Sequence, residues 1–115
     1  MSTTIYYNPK CSKSRQTLEL LKENGITPAV IEYLKTPPTA ETLKVILGQL
    51  GMAPRDLMRK KEDVYGELNL DDPSLSDDAL IDAMTKHPIL IERPIVLANG
   101  KAVLGRPPGQ VLEIL

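Results

Sequence analysis

The chain has a single cysteine, no tryptophan and no phenylalanine. One thiol cannot close an internal disulfide, which excludes a small disulfide-stapled fold and suits a reducing compartment. Four tyrosines are the only aromatics, so the core has to be built from Leu, Ile, Val, Met and Ala. An excess of one charge is also missing. The net charge is −1, which gives no global positive field for nucleic acid or an anionic membrane. Long apolar runs are absent as well. "PILI" and "PIVLA" are far too short to span a bilayer. The N-terminal "MSTTIYYN" lacks the charged and apolar regions of a secretory signal. These absences predict a cytoplasmic protein with neither nucleic-acid nor membrane partners. What is present, 42% hydrophobic and 25% charged residues in a chain of 115, suits one compact domain over residues 1–115. No coiled-coil pattern or large apolar patch is visible, so a monomer is the default.

Local signals set the element order. Thr4–Tyr7 is a short β-type run ended by the turn signal Asn8-Pro9. From Ser12 or Lys13 to about Asn24 the chain reads as a helix, with Leu18, Leu20 and Leu21 as its apolar stripe and Gly25 beyond its end. Ala29–Tyr33 is a second β-type run, completing a βαβ unit with parallel strands. Thr39 is a good N-cap for a helix whose Leu43, Ile46, Leu47 and Leu50 share one face. "APRDLMRKKEDVYGEL" predicts one or two short helices. Ser76 caps a further helix, with Asp77 and Asp78 at its positive end and Lys86 and His87 at the other. Two short β-type runs then flank Asn99-Gly100, a strong hairpin signal, and "RPPGQVLEIL" reads as a final helix opened by proline. The fold class is therefore α/β. The β-α-β and β-β-α halves of a thioredoxin-like fold, with a mixed four-stranded sheet, enclose a central helical insertion over about 39–88.

The chemistry concentrates in "YYNPKCSKSR". Cys11 follows a strand and a turn and precedes a helix, so its sulfur faces unpaired backbone N–H groups and the positive end of the helix dipole. Both favour thiolate over thiol. Ser12 and Ser14 can add hydroxyl donors, and Lys10, Lys13 and Arg15 add positive charge. A thiolate so placed is a nucleophile, and the same N–H groups can hold an oxyanion. A lone cysteine is more often an inert small hydrophobe, and the polar neighbours weigh against that here. One Cys and one His without ligand spacing do not make a zinc site. A Cys-x5-Arg phosphatase loop fails, because the sixth residue after Cys11 is Thr17. A dithiol motif also fails, because Ser14 stands where the second cysteine would be. Any redox cycle must use a thiol from outside.

"YYNPKCSKSR" resembles the Asn-Pro-x-Cys-x-x-Ser-Arg signature of the glutathione- and glutaredoxin-coupled arsenate reductases. "YLKTPPTAETL", "LMRKKEDVYGELNL", "SDDALIDAMTKHPILIERPIV" and "GRPPGQVLEIL" resemble further segments of that family in the same order. The resemblance implies a thioredoxin-like fold in which the Cys11 thiolate attacks arsenate and forms a covalent thiol–arsenate adduct. Glutathione as co-substrate attacks that adduct, and glutaredoxin helps resolve the mixed disulfide as arsenite leaves. It implies no bound cofactor and no metal. It also implies that Arg59, Arg93 and Arg106 hold arsenate or a similar oxyanion beside Ser12 and Ser14, and that the Arg93-Pro94 bond is cis. Tyr7, Asn8 and Arg15 would stand behind the loop. A planar guanidinium suits bidentate, charge-assisted binding of such an anion.

Other residues read more plainly. Arg15 is expected to face solvent or pair with Glu19, and Arg55 to be a solvated surface residue. Lys60 and Lys61 read as a solvated face, and His87 as a helix-end cap. The best-known members of the family carry His before Asn-Pro. Tyr7 replaces it here, and a neutral phenol cannot lower the thiol pKa as a histidinium would. Cys11 would then be a weaker nucleophile, or the substrate another than arsenate. Two alternatives to arsenate reduction follow: a non-enzymatic thioredoxin-like regulator or binding protein, and a glutathione-linked reductase of another substrate.

Overall fold

Alternation of side chains along Thr4–Tyr7 buries Ile5 completely, and this run is the inner strand β1 of the sheet. The computed structural model describes residues 2–115. The chain forms two units. The first runs from the N-terminal segment to Thr36 and resumes at Arg93–Leu115; the second is Pro37–Glu92. The helical segment expected over about 39–88 falls within the second.

In the first unit, β1 leads through the Asn8–Lys10 turn to helix α1, Ser12–Glu23. Gly25 follows with φ +76, a left-handed residue beyond the helix end. β2, Ala29–Glu32, pairs parallel with β1. β3, Ile95–Ala98, is antiparallel to β1, and β4, Lys101–Leu104, is antiparallel to β3. The order β2-β1-β3-β4 is a mixed four-stranded sheet, the thioredoxin-like plan that the element order predicts. The hairpin turns on Asn99 (φ 55) and Gly100 (φ 74), both left-handed as a tight two-residue connection requires. The Asn99 side-chain amide also donates to the carbonyl of Ile114 at 2.8 Å, tying the hairpin to the chain end.

The last segment differs from expectation. Pro108–Ile114 is a 3-10 helix rather than an α-helix. Apolar residues three apart suit either helix type, so the sequence pattern does not choose between them. At three residues per turn, Val111 and Ile114 lie on one side, and both are buried with Ile5, Leu21, Val96 and Ala98. Burying these six side chains stabilises this unit by roughly 25 cal/mol per Å² of apolar surface.

Helix α1 departs from a leucine stripe. Its buried residues are Ser14, Thr17 and Leu21, while Leu18 and Leu20 are partly buried against the core. Spacings of three and four residues put these buried positions on one face. At the Cys11 end that face is polar.

The second unit is helical: α2, Ala40–Leu50; α3, Pro54–Leu57; α4, Asp63–Glu67; and α5, Asp77–Lys86, followed by a 3-10 turn at Pro88–Leu90. Both expected N-caps form. The Thr39 hydroxyl accepts from the Thr42 N–H at 3.2 Å, and that of Ser76 from the Ala79 N–H at 3.1 Å. α5 packs on α2 and α3 and buries Leu80, Ile81, Ala83 and Met84. Arg55 corrects the sequence reading. Instead of a solvated surface residue, it is half-buried and donates to the carbonyls of Leu70 and Asp72 at 3.2 and 2.8 Å. Among the described residues no helix is long and apolar enough to cross a membrane.

Candidate active site

The loop between β1 and α1 is built by its own backbone. The Asn8 side-chain carbonyl accepts from the Lys10 N–H at 3.0 Å, and the Asn8 backbone carbonyl accepts from the Cys11 N–H at 2.9 Å. This Asx turn needs Asn at its first position and delivers Cys11 as the N-cap of α1, with φ −95 and ψ 122. Behind the loop, the Asn8 N–H donates to Ser14 Oγ at 3.3 Å. Arg15 is exposed, in line with the sequence reading, and its Nη1 also donates to the Pro9 carbonyl at 2.9 Å and braces the loop. A side chain reaching a loop carbonyl leaves no periodic signal in a sequence.

Cys11 is 7% exposed and Ser14 fully buried, while Ser12 is exposed at the first position of the helix. Burial pushes the Cys11 thiol up. The backbone N–H and hydroxyl of Ser14 and the guanidinium of Arg93 outweigh it, and the thiol comes down to about 7. Near neutral pH a large share of Cys11 is therefore thiolate, the reactive form.

Arg93 stands just before β3, and its bond to Pro94 is cis, as the resemblance implies. The Arg106-Pro107 bond is cis too, which nothing in the sequence announces. Arg106 follows β4. Its Nε donates to the Arg93 carbonyl at 2.6 Å, and its Nη2 lies 3.6 Å from Cys11 Sγ. Cys11, Ser14, Arg93 and Arg106 are thus gathered within the first unit. Such an arrangement can stabilise a thiolate, bind a small oxyanion and hold charge that builds on it during attack.

Arg59 belongs to the second unit. Its Nε donates to Glu62 at 3.1 Å and its Nη1 to Glu92 at 2.9 Å. Its own N–H donates to the Leu90 carbonyl at 2.7 Å. Two carboxylates therefore orient this guanidinium, a feature that the run "LMRKKED" does not reveal because Glu92 is distant in sequence. Tyr7 is half-buried and packs against the cluster around Ile5 and Leu21. Beside the loop, Tyr7, Asn8 and Lys10 border a cavity of about 190 Å³ against Glu32 and Lys35.

Known proteins share this sequence and this fold. Residues 6–114 match the model of the ArsC family. The chain is 64% identical over 112 residues to "Uncharacterized protein YfgD" of Escherichia coli strain K12, covering 96% of this chain and 94% of that protein. It is 54% identical over 112 residues to an arsenate reductase of Neisseria meningitidis, covering 96% of each. The solved structure of an arsenate reductase from Vibrio cholerae superposes with a TM-score of 0.97 at 62% identity, covering 100% of this chain and 98% of that one. The fold, the loop that presents Cys11 and the match over nearly the whole chain lead to one assignment: the protein belongs to the ArsC family.

Proposed function

We propose that the protein is an arsenate reductase that uses Cys11 as its nucleophile and draws its electrons from glutathione, with glutaredoxin. The observation that carries this reading is the Cys11 sulfur at the start of α1, with its pKa near 7 and the guanidinium of Arg106 3.6 Å away. Arsenate is a dianion near neutral pH, and guanidinium groups beside a thiolate suit both partners of the attack.

In the proposed cycle, Cys11 Sγ forms a bond to arsenic as an arsenic–hydroxyl bond breaks, and the hydroxyl takes a proton from solvent and leaves as water. The thiolate of glutathione then attacks Cys11 Sγ. The sulfur–arsenic bond breaks and its electron pair stays on arsenic, which goes from As(V) to As(III) and leaves as arsenite. A thiolate of glutaredoxin attacks the glutathione sulfur of the new Cys11–glutathione disulfide and takes the glutathionyl group as its own mixed disulfide, and Cys11 leaves as its thiolate. The lack of a second cysteine in this chain supports an external resolving thiol. Arg93 and Arg106 hold the oxyanion, with Ser14 on the thiolate. The family resemblance adds Arg59 as a third arginine and Ser12 as a donor.

A coupled assay tests the proposal. Protein, NADPH, glutathione reductase, glutathione and glutaredoxin are mixed with or without arsenate. Arsenate-dependent NADPH oxidation that disappears in Cys11→Ser supports the reading. A rate no higher than the Cys11→Ser background at every arsenate concentration removes it.

A further inference from the structure

Cys11 starts α1, whereas Arg93 and Arg106 come from two other segments, so a device is needed to keep three separate stretches in register. Six residues along α1 from Cys11, Thr17 is fully exempt from solvent contact at 0% exposure. Its hydroxyl points to the carbonyl of Gly105 at 3.5 Å. The Gly105 N–H in turn donates to the Pro94 carbonyl at 2.9 Å. A Cβ on residue 105 would stand 2.5 Å from Thr17 Oγ1, 2.8 Å from Pro94 Cγ and 3.0 Å from Thr17 Cγ2. A Cβ does not approach non-bonded carbon or oxygen that closely, so the glycine is required here by close approach.

We propose that Thr17, Pro94 and Gly105 form a clasp that sets the two arginines on the Cys11 sulfur, with Thr17 and Gly105 acting as positioning residues. Gly105 is bonded to Arg106, and Pro94 to Arg93. Each clasp residue on the sheet side is therefore one peptide away from a guanidinium that faces the thiol. The third member sits on the same helix as Cys11, on the same buried face as Ser14. The clasp is made of a hydroxyl, a proline ring and bare backbone. It carries no charge of its own, so it fixes distances without competing for the anion. Displacing it by a few tenths of an ångström would move both arginines relative to the sulfur, and positioning of that kind governs rate.

The effect on arsenate turnover rests on the reading of Cys11 as nucleophile. The thiol itself can be followed without arsenate, which separates the two. Thiolate absorbance is titrated, and the rate of alkylation by iodoacetamide is measured, for Gly105→Ala, Thr17→Val and Thr17→Ser, with circular dichroism to establish folding. In folded Gly105→Ala the thiol midpoint is expected to rise from about 7 toward the free value near 8.5. Alkylation at neutral pH should slow about fivefold, as the thiolate fraction falls. Thr17→Val should shift the midpoint in the same direction by less, and Thr17→Ser, which keeps the hydroxyl, should restore it. If Gly105→Ala does not fold, the Thr17 pair decides alone. Folded variants that titrate at the wild-type midpoint overturn the clasp. A wild-type protein inert to arsenate would remove the reductase reading and leave this comparison intact.

Discussion

The Nε–H of Arg106 donates to the backbone carbonyl of Arg93 at 2.6 Å. One arginine is thus oriented by the main chain of the other. The bond uses the inner nitrogen of the guanidinium and turns Nη2 toward Cys11 Sγ at 3.6 Å.

This relationship predicts that lysine cannot replace Arg106. A lysine ammonium is one point charge and lacks the planar fork whose separate nitrogens reach the Arg93 carbonyl and the sulfur. Arg106→Lys and Arg106→Ala should therefore both lose catalytic efficiency with arsenate. Arg93→Ala should lose about two to three powers of ten in kcat/KM if its guanidinium stabilises the developing oxyanion. Steady-state kinetics measures both. A change below about threefold would make either arginine a bystander.

The pH dependence follows from the Cys11 thiol at about 7. Its folded pKa lies below the unfolded value near 8.5. In the window between the two, the unfolded chain holds the extra proton, so stability rises with pH and the gain is lost as pH falls through about 7. The stability difference between wild type and Cys11→Ser should accordingly grow in favour of wild type from pH 6 to 8.5, measured by urea denaturation at each pH. The alkylation rate of Cys11 should reach half its maximum near pH 7. A flat stability difference together with an alkylation midpoint near 8.5 would contradict the thiolate assignment.

Arg59 lies between Glu62 and Glu92 with both acids about three-quarters covered. Removing the guanidinium takes a shared cation from two partly buried carboxylates. Arg59→Ala should cost about 1 kcal/mol or more of stability, above the value of an exposed pair. Restoring neutrality with Glu62→Gln and Glu92→Gln in the same chain should recover part of it. Chemical denaturation checks this, and an Arg59→Ala variant as stable as wild type would show the network to be without weight.

Much of this was legible in the residues. Asn8-Pro9, Thr39, Ser76 and Asn99-Gly100 are local signals whose chemistry is complete within a few residues, and each sits where its turn or cap is found. Cys11 was legible for the same reason, because a helix start is a local feature. The misses share a different origin. Arg15 on Pro9, Arg55 on Leu70 and Asp72, and Arg59 on Glu92 are side chains that meet groups chosen by the fold. Thr17 and Gly105 are 88 positions apart, and no spacing rule links them. The final segment misled because apolar residues three apart suit an α-helix and a 3-10 helix alike.

The most direct test of the whole account is the mass of the protein after incubation with arsenate and glutathione, without glutaredoxin. The account predicts one glutathionyl group on Cys11, formed only when arsenate is present and absent in Cys11→Ser. An unmodified protein, or a glutathionyl group that forms equally well without arsenate, would contradict it.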